Sequence, residues 1–297
     1  MKKKILLLGL ISCFITGIFA QENPLWLRYP AISPDGKTIV FNYKGDIYKV
    51  SSTGGTAIPL TTNEAYDYNP VWSPDGKQIT FASNRHGSFD VFIISSEGGE
   101  PKRLTYYSNN EVPSSFTPDG KYVTFSALIQ DVNTSILFPS GVLSELYKVP
   151  ANGGRTEQIL STPAIDATYN NDGNTIFYTD RKGYEDIWRK HHTSAVARDI
   201  WKYDITAKKH TKITSFNGED RNAIVSNDGK SLYYLSEQFN STFNVCKLDL
   251  NNPSSVQQIS KLERHPVRFL SKHLKIFCAL TMMGKFILKK KEKILKR

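Results

Sequence analysis

Short runs of alternating apolar and polar residues occupy most of the chain. Examples are "TIVFNY" and "QITFAS", followed by "DIYKVS", "DVFIIS", "ELYKVP", "DIWKYD" and "NVCKLD". A period of two places successive side chains on opposite faces of a strand, so these runs predict half-buried β-strands. Shorter apolar runs precede them: "RYPAIS", "YNPVWS", "EVPSSFT", "DATYN" and "NAIVS". Others follow: "AIPLT", "PKRLT", "TEQIL" and "TKITS". Tight polar turns rich in Asp-Gly, Gly-Gly and Asn separate the runs, giving four strands per unit.

The units repeat. "SPDGKTIVF" at Ser33 returns as "SPDGKQITF", "TPDGKYVTF", "NNDGNTIFY" and "SNDGKSLYY". The turn aspartates are Asp35, Asp75, Asp119, Asp172 and Asp228, spaced by 40, 44, 53 and 56 residues. Asp bonds back to nearby amides and Gly accepts the positive φ of a sharp reversal, so the pair has a sufficient structural reason. One carboxylate per turn falls well short of the six to eight oxygen ligands calcium takes. Four-stranded units at this period predict an all-β chain folded as a β-propeller. A β-sandwich explains the strands but not the recurrence of one turn at one place.

Unit boundaries fall at about 24–65, 66–108, 109–162, 163–217 and 218–264, and residues 265–297 begin a sixth unit with "HPVRFLS". That predicts five full units in an incomplete six-bladed ring, with open sheet edges that favour aggregation. After Ser271 the pattern changes to "KHLKIFCALTMMGKFILKKK", which lacks the earlier turn residues. "IFCALTMM" is too short to span a bilayer. Met282-Met283-Gly284 must be encoded ATG-ATG-GGN, which read one base earlier gives Asp-Gly. With permitted codons the shifted frame reads "NYDGKIYT", close to "NYKGDIYK" at Asn42. The expectation is a frame slip near Ser271–Leu274, followed by an out-of-frame basic tail.

Charge supports this division. The formal net charge is +10, but Lys2, Lys3 and Lys4 supply +3. Residues 261–297 hold twelve basic side chains against Glu263 and Glu292, which leaves 23 basic and 26 acidic groups on residues 5–260. A nucleic-acid binder carries its basic stripe on the folded body, so no nucleic-acid partner is expected. "MKKK" followed by "ILLLGLISCFITGIFA" reads as a secretory signal over residues 1–20. The mature chain is expected in the periplasm or outside the cell, without membrane insertion. The alternative is a lipoprotein anchored at Cys13 of "LISC". Cys246 alone remains in the body besides the tail's Cys278, so neither a disulfide framework nor zinc-ligand spacing is present. Cys246 is expected to be a small buried apolar group on a strand.

The unit "NPVWSPDGKQITFAS" with its later Asp, Gly-Gly and Leu-Thr resembles the propeller repeat of TolB-like and Tricorn-type proteins. "PLWLRYPAISPDGKTIVFNYKGDIYKV" and "KGYEDIWRKHHTSAVARDIWKYD" resemble the exported bacterial homologues of Tricorn protease. The resemblance covers about residues 24–271. It implies an N-terminal six-bladed propeller that gates peptides for a serine-protease core lying farther along the chain. No Gly-x-Ser-x-Gly elbow and no suggestive Ser, His and Asp set is present, so no catalytic residue, metal or cofactor is assigned.

The expected function is a non-catalytic module that binds or gates peptides. The alternatives are a stand-alone TolB-like scaffold for protein partners, or a propeller enzyme with channel chemistry. The innermost strands as read above are poor in carboxylates and histidines, which weighs against the last. The third and fourth units carry long insertions between their second and third strands, "LIQDVNTSILFPSGVLSE" and "TDRKGYEDIWRKHHTSAVAR". Both are expected on the rim opposite the Asp-Gly turns, close together. Such loops concentrate function. Arg189, Lys190, His191 and His192 are the candidates for a peptide carboxylate or an acidic partner. The competing reading makes "YEDIWRKHH" a solvated turn that packs Trp188. His191 and His192 are sequence neighbours and do not face the same way.

Overall fold

The computed structural model describes residues 26–129, 143–184, 193–272, 276–281, 286–290 and 293–296. The signal and the stretch holding Arg189, Lys190, His191 and His192 lie outside the described residues. The chain is an all-β propeller of four-stranded antiparallel blades, each made of consecutive strands. The first blade comprises Arg28–Ile32, Thr38–Tyr43, Asp46–Ser51 and Ile58–Pro59, from the inside outwards. The innermost strands of the next four are Asp67–Trp72, Glu111–Phe116, Ala164–Tyr169 and Asp220–Val225.

Beyond the fifth blade, where the sequence reading expects the start of a sixth unit and then an aberrant tail, the backbone is extended. Val267–Lys272, Ile276–Thr281, Phe286–Lys290 and Lys293–Lys296 pair as a further four-stranded antiparallel sheet. Ile, Phe, Leu and Thr in these segments favour extended backbone, and an adjacent strand edge offers them a ladder. Val267 and Leu270 pack with Leu235, Phe243 and Val245 of the fifth blade. On the other side, Ser271 Oγ accepts from the Ile32 amide at 3.3 Å and Phe269 meets Tyr29 of the first blade. Among the described residues no strand is shared across this junction.

Four of the five Asp-Gly turns are built alike. Ser33, Ser73, Thr117 and Ser226 donate their hydroxyls to the aspartate two residues on, at 2.5–2.6 Å. The same carboxylates accept the amides of Lys37, Lys77, Lys121 and Lys230. The glycines sit at φ 69–74°, in the left-handed region. The Leu-Thr signature has its own job. The hydroxyls of Thr61, Thr105, Thr214 and Ser260 accept the amides of Ile47, Val91, Ile200 and Val245, at 2.9–3.0 Å. They tie each outer strand's exit to the third strand. Apolar clusters such as Val40, Ile47, Ile79, Phe81 and Phe92 fill the seams between neighbouring blades. Cys246 lies buried in such a seam, as its strand position suggests.

The seams are also stitched by backbone. The first amide of an inner strand reaches the previous blade in four places: Asp67 to Gly45 O, Ala164 to Ser144 O, Asp220 to Arg198 O, and Val267 to Phe243 O. These bonds hold the inner strands' first residues at one face of the ring, opposite the Asp-Gly turns. That rim face carries the candidate site.

Candidate functional site at the channel mouth

The innermost strands line the centre of the propeller, and each carries a β-bulge. Register shifts fall between Arg28 and Ala31, Tyr68 and Val71, Ile165 and Thr168, Arg221 and Ile224, and Val267 and Phe269. Tyr29, Asn69, Asp166 and Asn222 occupy the bulges at φ 50–55°. Left-handed conformations at non-glycine residues cost about 1 kcal/mol or more each. A bulge re-aims the side chains beside it. Here it turns residues of separate blades toward one another: Asn69 Nδ2 donates to Pro113 O of the next blade at 2.6 Å.

Two unlike walls result. On the first, Tyr29 lies 5.2 Å from Tyr68 and 4.6 Å from Phe269, ring centroid to centroid. Phe89 meets Tyr68 edge-on at 4.9 Å, and Tyr66 sits 6.0 Å from Tyr68. Burial raises the phenol pKa values of Tyr29 and Tyr68, so both remain neutral donors. The second wall is ionic. Arg198, Arg221 and Arg268 are each only 4% exposed, and Glu219 is equally buried. Glu219 Oε1 lies 3.4 Å from Arg198 Nη1 and 3.8 Å from Arg221 Nη1. The Arg221 guanidinium also covers the Phe243 ring at 4.4 Å. Burial pulls the Arg221 pKa down to about 10, with Glu219 opposing, and leaves it charged. Asp166 faces this group. Burial raises its pKa, while Arg198, Arg221 and Arg181 pull the other way.

Arg181 completes the ionic wall and links it to the insertions. Its Nη1 lies 3.5 Å from Ser144 Oγ, at the foot of the third blade's insertion. Arg181 itself begins the fourth blade's insertion, so the feet of the two loops meet on the rim. The second loop's neck is clamped. Lys182 Nζ donates to Ala197 O at 2.7 Å and to Asp199 at 2.6 Å. Asp180 accepts the Asp199 amide and the Trp201 indole, and Gly183 lies against Val196. The exposed apolar side chains Trp26, Tyr106, Leu143, Tyr184 and Phe239 all belong to rim-face connections, whereas Ile58 lies on an outer strand.

The innermost strands are richer in acid than the sequence reading allowed, because two of them start earlier. Asp67 and Asp220 are their first residues, as Glu111, already inside the run read from the sequence, is of the third blade's. Each stands eight positions before its turn aspartate, a periodic signal that was available in the sequence. Asp67 takes Arg85 of its own blade at 3.0 and 3.2 Å, and burial raises Glu111 and Asp220 to about 7. Among the described residues no His, Cys, Asp and Glu group has metal-site geometry. His210 is engaged with Tyr178 OH at 2.8 Å. A groove of about 820 Å³ on the turn face, between the first two blades, is lined by Lys37, Lys49, Trp72, Asp75 and Glu97. It is open, and its lysines pair with Asp35 and Glu97. No groups converge there as they do at the channel mouth.

Comparison with known proteins agrees with this architecture. Residues 24–276 match the family described as the Tricorn protease N-terminal beta propeller domain. The crystal structure of the tricorn protease superposes with a TM-score of 0.76 at 20% identity, over 92% of this chain and 26% of that one. TolB from Acinetobacter baumannii superposes at 0.59 and 17% identity, over 91% of this chain and 65% of that one. Dipeptidyl-peptidase 5 of Porphyromonas gingivalis is 35% identical over 68 residues, which is 20% of this chain and 10% of that protein. The chain thus spans about a tenth of that relative and a quarter of the tricorn protease.

Proposed function

The chain belongs to the family of Tricorn protease N-terminal propeller domains, and from that premise we propose that it is a non-catalytic module that binds or gates peptides in proteolysis. The observation that carries this reading is the channel mouth, where an aromatic wall and an arginine wall face each other beside the feet of two long insertions. An extended peptide offers both kinds of group to such a mouth. Arg189, Lys190, His191 and His192, on the loop that leaves the clamped neck, would add cationic contacts at the same rim. We further propose that the module works in the periplasm after removal of residues 1–20, and that residues after about 272 are an out-of-frame tail. The end of the family match at residue 276 supports the latter.

Fluorescence anisotropy of the purified chain with labelled extended peptides tests the function, alongside a casein hydrolysis assay. Saturable binding without turnover is expected. Robust hydrolysis would sink the reading. A second reading, a TolB-like scaffold for folded partners, draws on the superposition with TolB and on the apolar side chains exposed at the rim. Capture of a folded partner with no affinity for peptides would favour it.

A further inference from the structure

We propose that the ionic wall of the channel mouth is a receptor for a carboxylate carried by an extended peptide, with Arg181 as the contacting group and Tyr29, Tyr68 and Phe269 seating the neighbouring apolar residue. This rests on the peptide-handling reading above and names the chemistry it recognises. Arg198 and Arg221 are committed to Glu219. Arg181 is not: among the described residues its Nε has no hydrogen-bond partner, and Nη1 has only Ser144 Oγ at the 3.5 Å limit. It lies near enough to Arg198 to be repelled, and Asp166 is the acid that opposes this. A half-buried guanidinium fork in that state is matched by a planar carboxylate accepting two hydrogen bonds. Arg181, Arg198, Arg221 and Arg268 stand against only Glu219 and Asp166, so the cluster keeps an excess of positive charge for an incoming anion. Across the mouth the phenol rings provide an apolar face with donor hydroxyls.

The test uses the whole chain and one labelled heptapeptide with a Tyr-Leu core in four versions. Its C-terminus is free or amidated, and the residue beside the core is Glu or Gln. Versions with a carboxylate should bind about tenfold tighter than the fully neutral one, the value of one charged hydrogen-bonded contact. R181Q should bring all four within about twofold of one another, and R181K should recover part of the difference. Loss of the gain on amidation alone identifies a chain end as the ligand; loss with Gln alone identifies a side chain. Either supports the receptor. Equal affinity of all four for the unmodified protein would overturn it and leave peptide binding standing, independently of whether R181Q folds. Failure of every version to bind would overturn both.

Discussion

Glu111 provides the sharpest test of how the blade seams are held. It is 1% exposed at the start of an inner strand, beside Asp90, whose own carboxylate is buried against Arg103 at 2.8 Å. Burial is the main cause that raises its pKa from 4.5 to about 7. The Asp90 charge adds to the rise, while Thr105, the Tyr107 amide and Arg103 oppose it. The folded state therefore keeps the Glu111 proton after the unfolded chain has released it. Stability contributed by this proton is complete below pH 4.5, falls as pH rises, and is lost by about pH 7. A shift of roughly 2.5 units corresponds to about 3 kcal/mol. Glu111→Gln keeps the shape and cannot ionise, so it should remove that slope. Urea unfolding followed by circular dichroism at pH 5, 6, 7 and 8 reads it directly. The variant should lose about 2.5 kcal/mol less than the parent across this range and be the more stable protein at pH 8. Parallel curves for the two proteins would refute the assignment of a buried, protonated Glu111.

Other consequences are smaller or more local. Gly76→Ala forces a left-handed alanine at φ 71°, although its Cβ would meet only Pro34 at an ordinary 3.5 Å. The cost should be about 1 kcal/mol from the backbone alone, seen as a melting temperature lower by about 3 °C; an unchanged melt would show that the turn relaxes. Phe269→Ala removes the ring against Tyr29 at the junction where no described strand is shared. It should speed amide exchange over Arg28–Ile32 and cost about 2 kcal/mol, less than for a fully buried Phe; unaltered exchange there would mean the junction is held elsewhere. Sequencing the locus tests the tail: a restored frame should continue the propeller repeat, and a frame that does not would dismiss the slip.

The blade repeat was legible because its determinants are local. A Ser or Thr two residues before Asp, a Gly after it, and an alternating strand beyond are all contained in a few residues, and each is visible in one unit. The Leu-Thr signature was seen, but its role was not. Thr61 caps Ile47 from fourteen residues away, which no window of alternation reveals. Asp67 and Asp220 were lost to strand starts read too late, although their offset from the turn repeats that of Glu111. In the tail a change in composition marks the end of the repeat motif, while Ile276–Thr281 still has strand-forming character and is extended.

The channel mouth escaped the sequence for a stronger reason. Arg181 and Arg198 border one insertion, Arg221 belongs to the next blade's inner strand, and Arg268 to the strand beyond. Asp166 stands ahead of them all on a bulge. Each residue alone reads as an ordinary charged position near a loop. They become a cluster only because every blade enters the ring at the same level and the bulge turns its side chains toward the centre. The propeller thus converts a one-dimensional repeat into a circle in which equivalent positions face one another. Residues that differ between units, Tyr29 in the first and Asp166 in the fourth, then become opposite walls of one opening. A reading that looks for function in what the units share finds turns and seams. The two unlike walls of the mouth lie where the units depart from one another at a shared position, and the tyrosines and arginines beside the bulges are that departure.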